Sequence, residues 1–319
     1  MSSRLNGRFK INSMSTLTQE VFACMGNTAD ITVIGDPSLL GVARVRLEQI
    51  EQRWSRFISS SDICALNQSK GAAISVHPDT ITLVRYLVDA QNLTNRVFDP
   101  TLLPSLVQLG YARSITNASL VTQLDGSLRW GEPLAATSID IANSTVTLPI
   151  GLTLDPGGLG KGLAADIVAS QLRELGAEGV CVSLGGDIRC SGTGPIDGAW
   201  SIPVASPFPL SDILATATLF DGAIATSSLD AKTWSVGNKA MHHVLSPKTG
   251  QPLPRSLDQV IQTTVIGAEA VWAEVFATVV LVAGVSEGFA RIEAAGLAAL
   301  AVFADGRCLE SSHWKEYTE

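Results

Sequence analysis

The chain has 319 residues, 46% of them hydrophobic and 16% charged, with a net charge of −8 at neutral pH. A chain of this size and composition builds its core without a disulfide or metal staple and is too apolar to be disordered. The acidic balance, with no basic stripe or arginine-rich tract to offset it, excludes a polyanionic partner such as nucleic acid.

Residues 1 to about 18 read as an extension before a single domain over 19–319, with Met14 an alternative start. Val21-Phe22-Ala23-Cys24 faintly matches a lipoprotein cleavage site. Asn12, Ser13, Ser15, Thr16, Gln19 and Glu20 interrupt the apolar stretch that a signal peptide needs, so a cytoplasmic location is the expectation. The five cysteines (Cys24, Cys64, Cys181, Cys190, Cys308) are odd in number and contain no C-x-x-C, which predicts reduced, mostly buried thiols.

Residues 29–34 read as a strand. Over 40–58, Leu40, Leu47, Ile50, Trp54 and Phe57 fall on one helical face, and a second helix starts near Pro78 with Ile81, Val84, Leu87 and Val88 inward. The stretch 95–111 has two prolines and reads as a loop with one short helical piece. Residues 112–145 are polar and turn-rich, an excursion between two halves.

The second half opens with 146–154, apolar and partly β-branched as in a buried strand, and then DPGGLGKGLAAD over 155–166. Leu163, Ile167, Leu172 and Leu175 recur after it at helical spacing, and Gly176 stands where a helix stops. Glycines 157, 158 and 160 permit close backbone approach to a ligand, and Lys161 adds a charge near a helix N-terminus that already favours anions. This is a phosphate seat or an ordinary glycine turn. It is not a P-loop, because Gly162 occupies the serine or threonine position, and Leu159 or Leu163 breaks the dinucleotide fingerprint in either register.

A buried strand over 179–184 runs into Gly185-Gly186-Asp187, a turn that either presents a carboxylate or bonds its own backbone. Further strands are expected at 199–205, 214–219 and 260–266. With no internal repeat and no regular βαβ alternation, the fold reads as α+β with mixed or antiparallel sheets. Thr226, Ser227 and Ser228 cluster hydroxyls as an N-cap or a ligand-holding turn would. His242 and His243 precede VLSPKTG, where an imidazole suits a general base. No G-x-S-x-G signals an activated serine. The apolar stretch 270–284 is too short to span a bilayer and carries Glu274, so no integral membrane segment is expected. Glu274 and Thr278, four apart, share a helical face. They suit a hard cation, or else form a surface helix edge whose threonine bonds its own helix.

The order of these pieces is more specific than any one of them. Met25-Gly26-Asn27-Thr28, Phe98-Asp99-Pro100-Thr101, DPGGLGKGLAAD, Leu184-Gly185-Gly186-Asp187, Ala225-Thr226-Ser227, HHVLSPKTG and AEVFAT together resemble the ApbE family of FAD:protein FMN transferases, over roughly residues 20–305. The resemblance implies an α+β domain of two lobes, about 19–111 and 146–305, that binds FAD, uses Mg²⁺, and moves FMN from FAD onto a threonine hydroxyl of an acceptor flavoprotein, releasing AMP. Carried over by position, it implies Met25 against a ring of FAD and Lys161 at the pyrophosphate. Phe98, Asp99, Asp155, Asp187, Thr226 and Ser227 would complete the FAD contacts. The Gly158 carbonyl, Glu274 and Thr278 would be metal ligands, with His243 as the base. Glu274 departs from the family's usual aspartate, Ser246 from its aspartate or asparagine, and Gly160 from its alanine. The same residues would serve an FAD pyrophosphatase giving FMN and AMP, or an FAD-binding protein without turnover.

Overall fold

The computed structural model describes residues 16–124, 128–208 and 213–318. Thr16–Cys24 (β1) and Asn27–Gly35 (β2) pair antiparallel from Thr16↔Gly35 to Cys24↔Asn27. Met25 and Gly26 close the hairpin, both at positive φ (53° and 66°). A two-residue hairpin turn requires that geometry to match strand twist, and Met25 adopts it despite its Cβ. β1 thus begins inside the stretch read as an extension. Residues 1–15, Met14 among them, lie outside the described residues, and Val21 to Cys24 form the end of β1.

Leu39–Trp54 (α1) buries Leu39, Ala43, Leu47, Ile50 and Trp54 along one stripe. It stops earlier than the periodicity predicts because Ser55 turns extended, which leaves Phe57 beyond the helix. Asp62–Asn67 (α2), Ile74–Ser75 (β3), Pro78–Leu93 (α3) and Leu103–Gln108 (α4) follow, with Pro78 in the first turn of α3 as expected. Ser138–Asp140 (β4) and Thr145–Thr147 (β5) join β3 in a small sheet of order β3-β5-β4.

The strand expected over 146–154 shrinks to β5. Pro149 has no N–H to donate and Gly151 turns the chain at φ 82°, so Leu152 and Leu154 are buried without a ladder. The Asn67 side chain takes the place of a partner strand, donating to the Leu154 carbonyl at 2.9 Å and accepting from the Leu154 N–H at 2.7 Å.

Gly160–Glu174 (α5) buries Leu163, Ala164, Val168 and Leu172. Ile167 is only partly buried and Leu175, past the helix end, is exposed, so the inward stripe differs from the expected one at those two positions. The remaining elements are Gly179–Leu184 (β6), Asp187–Gly192 (β7), Trp200–Ala205 (β8), Ile213–Leu219 (β9), Gly222–Ser228 (β10), Thr233–Val236 (β11), Lys239–His242 (β12), Val260–Gly267 (β13), Ala270–Ala283 (α6), Val285–Ala294 (α7), Ala298–Phe303 (β14) and Cys308–Glu310 (β15). Thr226, Ser227 and Ser228 therefore end a strand, where sequence suggested an N-cap or a turn.

The main sheet has the order β1-β2-β6-β7-β10-β13-β14-β15, and every pairing is antiparallel. The fold is α+β, as the sequence predicts. Strands from both halves of the chain share this one sheet, since β2 pairs with β6. Its two faces bury different cores through strand alternation: Val265 belongs to the core that includes the buried residues of α1, α5 and α6, while Ile266 belongs to the one with Trp200, Leu219 and Trp314. Among the described residues no helix is long and apolar enough to cross a membrane.

Candidate active site

A cavity of about 360 Å³ opens where the tip of the β1–β2 hairpin, the first turn of α5, the β6–β7 turn, the end of β10 and one face of α6 converge. Every site residue expected from the sequence borders it.

Lys161 is the centre of charge. Its Nζ lies 2.5 Å from Asp187 Oδ2 and also forms an ion pair with Glu274, and both carboxylates are buried. Burial opposes a charged ammonium, but the two carboxylates more than offset it, so the Lys161 pKa is raised. Two acids share one ammonium, and the excess negative charge falls on Glu274: burial, with Asp187 nearby, pushes it up to about 7 against the pull of Lys161. Asp187 reaches this position because Gly185 and Gly186 close β6 to β7 at φ 61° and 96°, which puts the first residue of β7 at the cavity wall.

Helices α5 and α6 are latched reciprocally. The Gly162 N–H donates to Glu274 Oε2 at 2.8 Å, while the two oxygens of Asp166 accept from the Ala270 and Val271 N–H groups at 2.9 Å each. Each helix thus caps the other's first turn with a carboxylate. Thr278, one turn beyond Glu274, shares a hydrogen bond of 3.2 Å with Ser227, and Thr226 shares one of 2.8 Å with Thr264. Far from being a surface edge, this stretch of α6 is buried.

On the opposite wall, Asp99 Oδ1 accepts from Gln91, the Thr101 N–H and the Thr101 hydroxyl at 3.1, 2.9 and 2.7 Å. Its Oδ2 and Trp54 Nε1 are buried without a hydrogen-bond partner among the described residues, an acceptor and a donor left for a polar ligand edge. Asp155 Oδ1 accepts from the Gly157 N–H at 2.9 Å, and its Oδ2 lies 3.3 Å from Arg56 Nε. Gly158 packs under Phe98, where an added Cβ would stand 2.7 Å from the ring. Gly160 has more room: a methyl there would make ordinary contact with Pro156 and Met25, so this departure from alanine changes little sterically.

Sequence reading missed Trp54, Arg56, Phe57, Tyr111 and Lys232, all of which border the cavity. The Arg56 guanidinium sits over the Phe57 and Tyr111 rings at 4.1 and 4.6 Å, and Tyr111 stacks on Trp234 with centroids 5.0 Å apart. An arginine between two aromatics just past a helix end was the available signal for this group. Trp234 donates to the Leu109 carbonyl at 2.7 Å, pinning the β11–β12 hairpin to the first half of the chain.

The two adjacent histidines part company here. His242 is buried, with Nε2 3.0 Å from the Leu253 carbonyl. His243 borders the cavity with Nδ1 3.3 Å from the Lys232 carbonyl. A carbonyl only accepts, so Nδ1 carries the proton and Nε2 keeps its lone pair. Burial, then the neighbouring Lys232 charge, pushes the His243 pKa down to about 3.

Among the described residues no three His, Cys, Asp or Glu side chains form a metal cage by themselves. Beside the Lys161 ammonium, the cavity around Glu274 offers oxygen ligands: its own carboxylate, Asp187 and the hydrogen-bonded Thr278 and Ser227 hydroxyls, with Gly158 also on the lining. Such a set fits a hard divalent cation that completes its shell with waters and phosphate oxygens.

This arrangement belongs to an α+β protein whose cavity gathers buried acids, three cations and aromatic rings. The ApbE family model matches residues 25–301, and the chain belongs to the ApbE family. A Vibrio cholerae protein named FAD:protein FMN transferase is 26% identical over 285 residues, covering 85% of this chain and 82% of its own. A Chlamydia muridarum protein of the same name is 28% identical, covering 73% and 71%. The crystal structure of the ApbE protein from Thermotoga maritima superposes with a TM-score of 0.82 at 22% identity, covering 95% of this chain and all of that one.

Proposed function

We propose that this chain transfers FMN from FAD to a threonine hydroxyl of an acceptor protein, leaving a phosphoester-linked flavin and releasing AMP. The observation that carries the reading is the meeting of Lys161, two buried carboxylates and a neutral His243 around one cavity with unpaired polar atoms in its far wall. Trp54 and Asp99 offer a donor and an acceptor to the ring end of FAD, and Met25, on its strained turn, supplies a polarizable contact. Lys161, at the N-terminus of α5, receives the pyrophosphate. Glu274, Thr278 and the Gly158 carbonyl would hold Mg²⁺, whose chemistry there is neutralisation of pyrophosphate charge.

His243 Nε2 accepts the proton of the acceptor hydroxyl as that oxygen bonds to the FMN phosphorus. The bond from this phosphorus to the bridging oxygen breaks, and AMP leaves with that oxygen. Water in place of the threonine hydroxyl would instead give free FMN. Incubation with FAD, Mg²⁺ and a threonine-bearing acceptor, followed by denaturing electrophoresis under ultraviolet light, tests the reading. A fluorescent acceptor band that survives denaturation is expected; free FMN without a band identifies a pyrophosphatase, and unchanged FAD a binding protein.

A further inference from the structure

The cavity holds three cations among the described residues, and their pairing differs. Arg56 faces Asp155 and Lys161 faces Asp187 and Glu274. Lys232 borders the same cavity, yet its ammonium has no hydrogen bond or ion pair to any described residue.

Strand register explains where Lys232 points. β11 and β12 pair through Thr233↔His242, so the next opposed pair at the base of this hairpin is Lys232 and His243, and the His243 N–H donates to the Lys232 carbonyl at 3.3 Å. Side chains of directly opposed residues lie on the same face of a ribbon, and those one position along lie on the other. That alternation sends His242 into the interior against Leu253 and sends His243 and Lys232 together into the cavity.

We propose that Lys232 is a catalytic residue that binds a non-bridging oxygen of the phosphoryl group under attack, beside the base His243. The inference rests on the FMN-transfer reading and adds a group which that reading does not use. In the transfer, the threonine oxygen–phosphorus bond forms, the phosphorus–oxygen bond to AMP breaks, and the hydroxyl proton passes to His243. Lys232 keeps its proton throughout and offsets charge on the equatorial oxygens. An unpaired cation in a partly desolvated wall acts strongly on such charge, because nothing in the protein competes for it. The pairing also couples binding to chemistry. Burial and Lys161 lower the Lys232 pKa, and the Lys232 charge in turn helps to depress His243; a phosphate seated on Lys232 offsets that charge and makes the imidazole more basic when the substrate is present.

The test compares wild type, Lys232→Met and Lys232→Arg for FAD affinity by flavin fluorescence, for turnover with Mg²⁺ and acceptor, and for melting temperature. Lys232→Met should weaken FAD binding about 10-fold or more and lower turnover by about 100-fold, with Lys232→Arg recovering most of the binding. Raising ionic strength should weaken FAD binding to wild type more than to Lys232→Met. Affinity and turnover of Lys232→Met within twofold of wild type overturn the proposal, as does equal loss in Lys232→Met and Lys232→Arg. Should Lys232→Met fail to fold, Lys232→Gln replaces it in the same comparison. Wild-type protein that binds no FAD sinks the transfer reading itself, whereas wild-type binding matched by Lys232→Met sinks only the role of Lys232.

Discussion

Gly162 and Ala270 approach so closely that a Cβ on the glycine would stand 2.4 Å from the Ala270 carbonyl oxygen. The contact lets the Gly162 N–H reach Glu274, so the glycine sets both helix separation and carboxylate position. Gly162→Ala should force α5 and α6 apart, costing about 1–3 kcal/mol of stability by overpacking. Turnover should fall below what the folded fraction explains. Denaturant titration beside rate measurements checks both, and a fully active, equally stable variant contradicts this geometry.

Asp166, the last residue of the glycine-rich motif, accepts two N–H groups at the start of α6, lies 3.5 Å from Arg189 Nε and is not on the cavity lining. Asp166→Ala should cost about 1–2 kcal/mol, the size of a lost helix cap. Asp166→Asn, which keeps one acceptor oxygen, should recover about half. Equal stability of all three proteins in urea would dismiss the cap.

Lys161→Ala leaves two buried carboxylates without their shared partner. Loss of one member of a buried ion pair costs about 3–5 kcal/mol, several times the effect of an exposed one. The variant should therefore melt well below wild type and lose FAD affinity at a temperature where it is still folded. Unchanged melting would mean that Lys161 does not pair with Asp187 and Glu274 in solution.

Glu274→Gln preserves shape and removes the charge that a hard cation needs. Turnover should drop steeply and recover in part with excess Mg²⁺, and EDTA should abolish wild-type turnover. Indifference to both the substitution and EDTA rules out the metal site.

His243→Ala should lower turnover about 10²-fold or more while FAD still binds, and His242→Ala should be milder for turnover. The pH dependence carries a definite sign. The native His243 pKa, about 3, lies below the ordinary 6.5, so the unfolded state binds more protons between those values and stability contributed here falls as pH drops from about 6.5 toward 3. Replacement by glutamine should flatten that slope in denaturation measured across the window. An unchanged slope in the variant would place the imidazole in solvent.

Much of this fold is legible in sequence because its signals are local. The stripes of α1 and α3, Pro78 at a helix start and Gly185-Gly186 at a hairpin each depend on residues within a few positions. Residues 152–154 mislead because apolarity reports burial, while the ladder is decided by Pro149 and by Asn67, which lies far away in sequence. The site divides the same way. Lys161 announces itself through neighbouring glycines, whereas Lys232 has no local signature, since its importance comes from the register of β11 on β12 and from what it fails to pair with.

The cavity takes its walls from Met25 near one end of the chain to Thr278 near the other, across a sheet that interleaves both halves. No partial fold presents a usable site, so any ligand that bridges these walls binds only the complete native state. Occupancy then acts as a thermodynamic brace on the whole molecule, worth about 2.7 kcal/mol at a hundredfold excess over Kd. The midpoint of thermal unfolding becomes a gauge of ligand identity that needs neither an acceptor protein nor turnover.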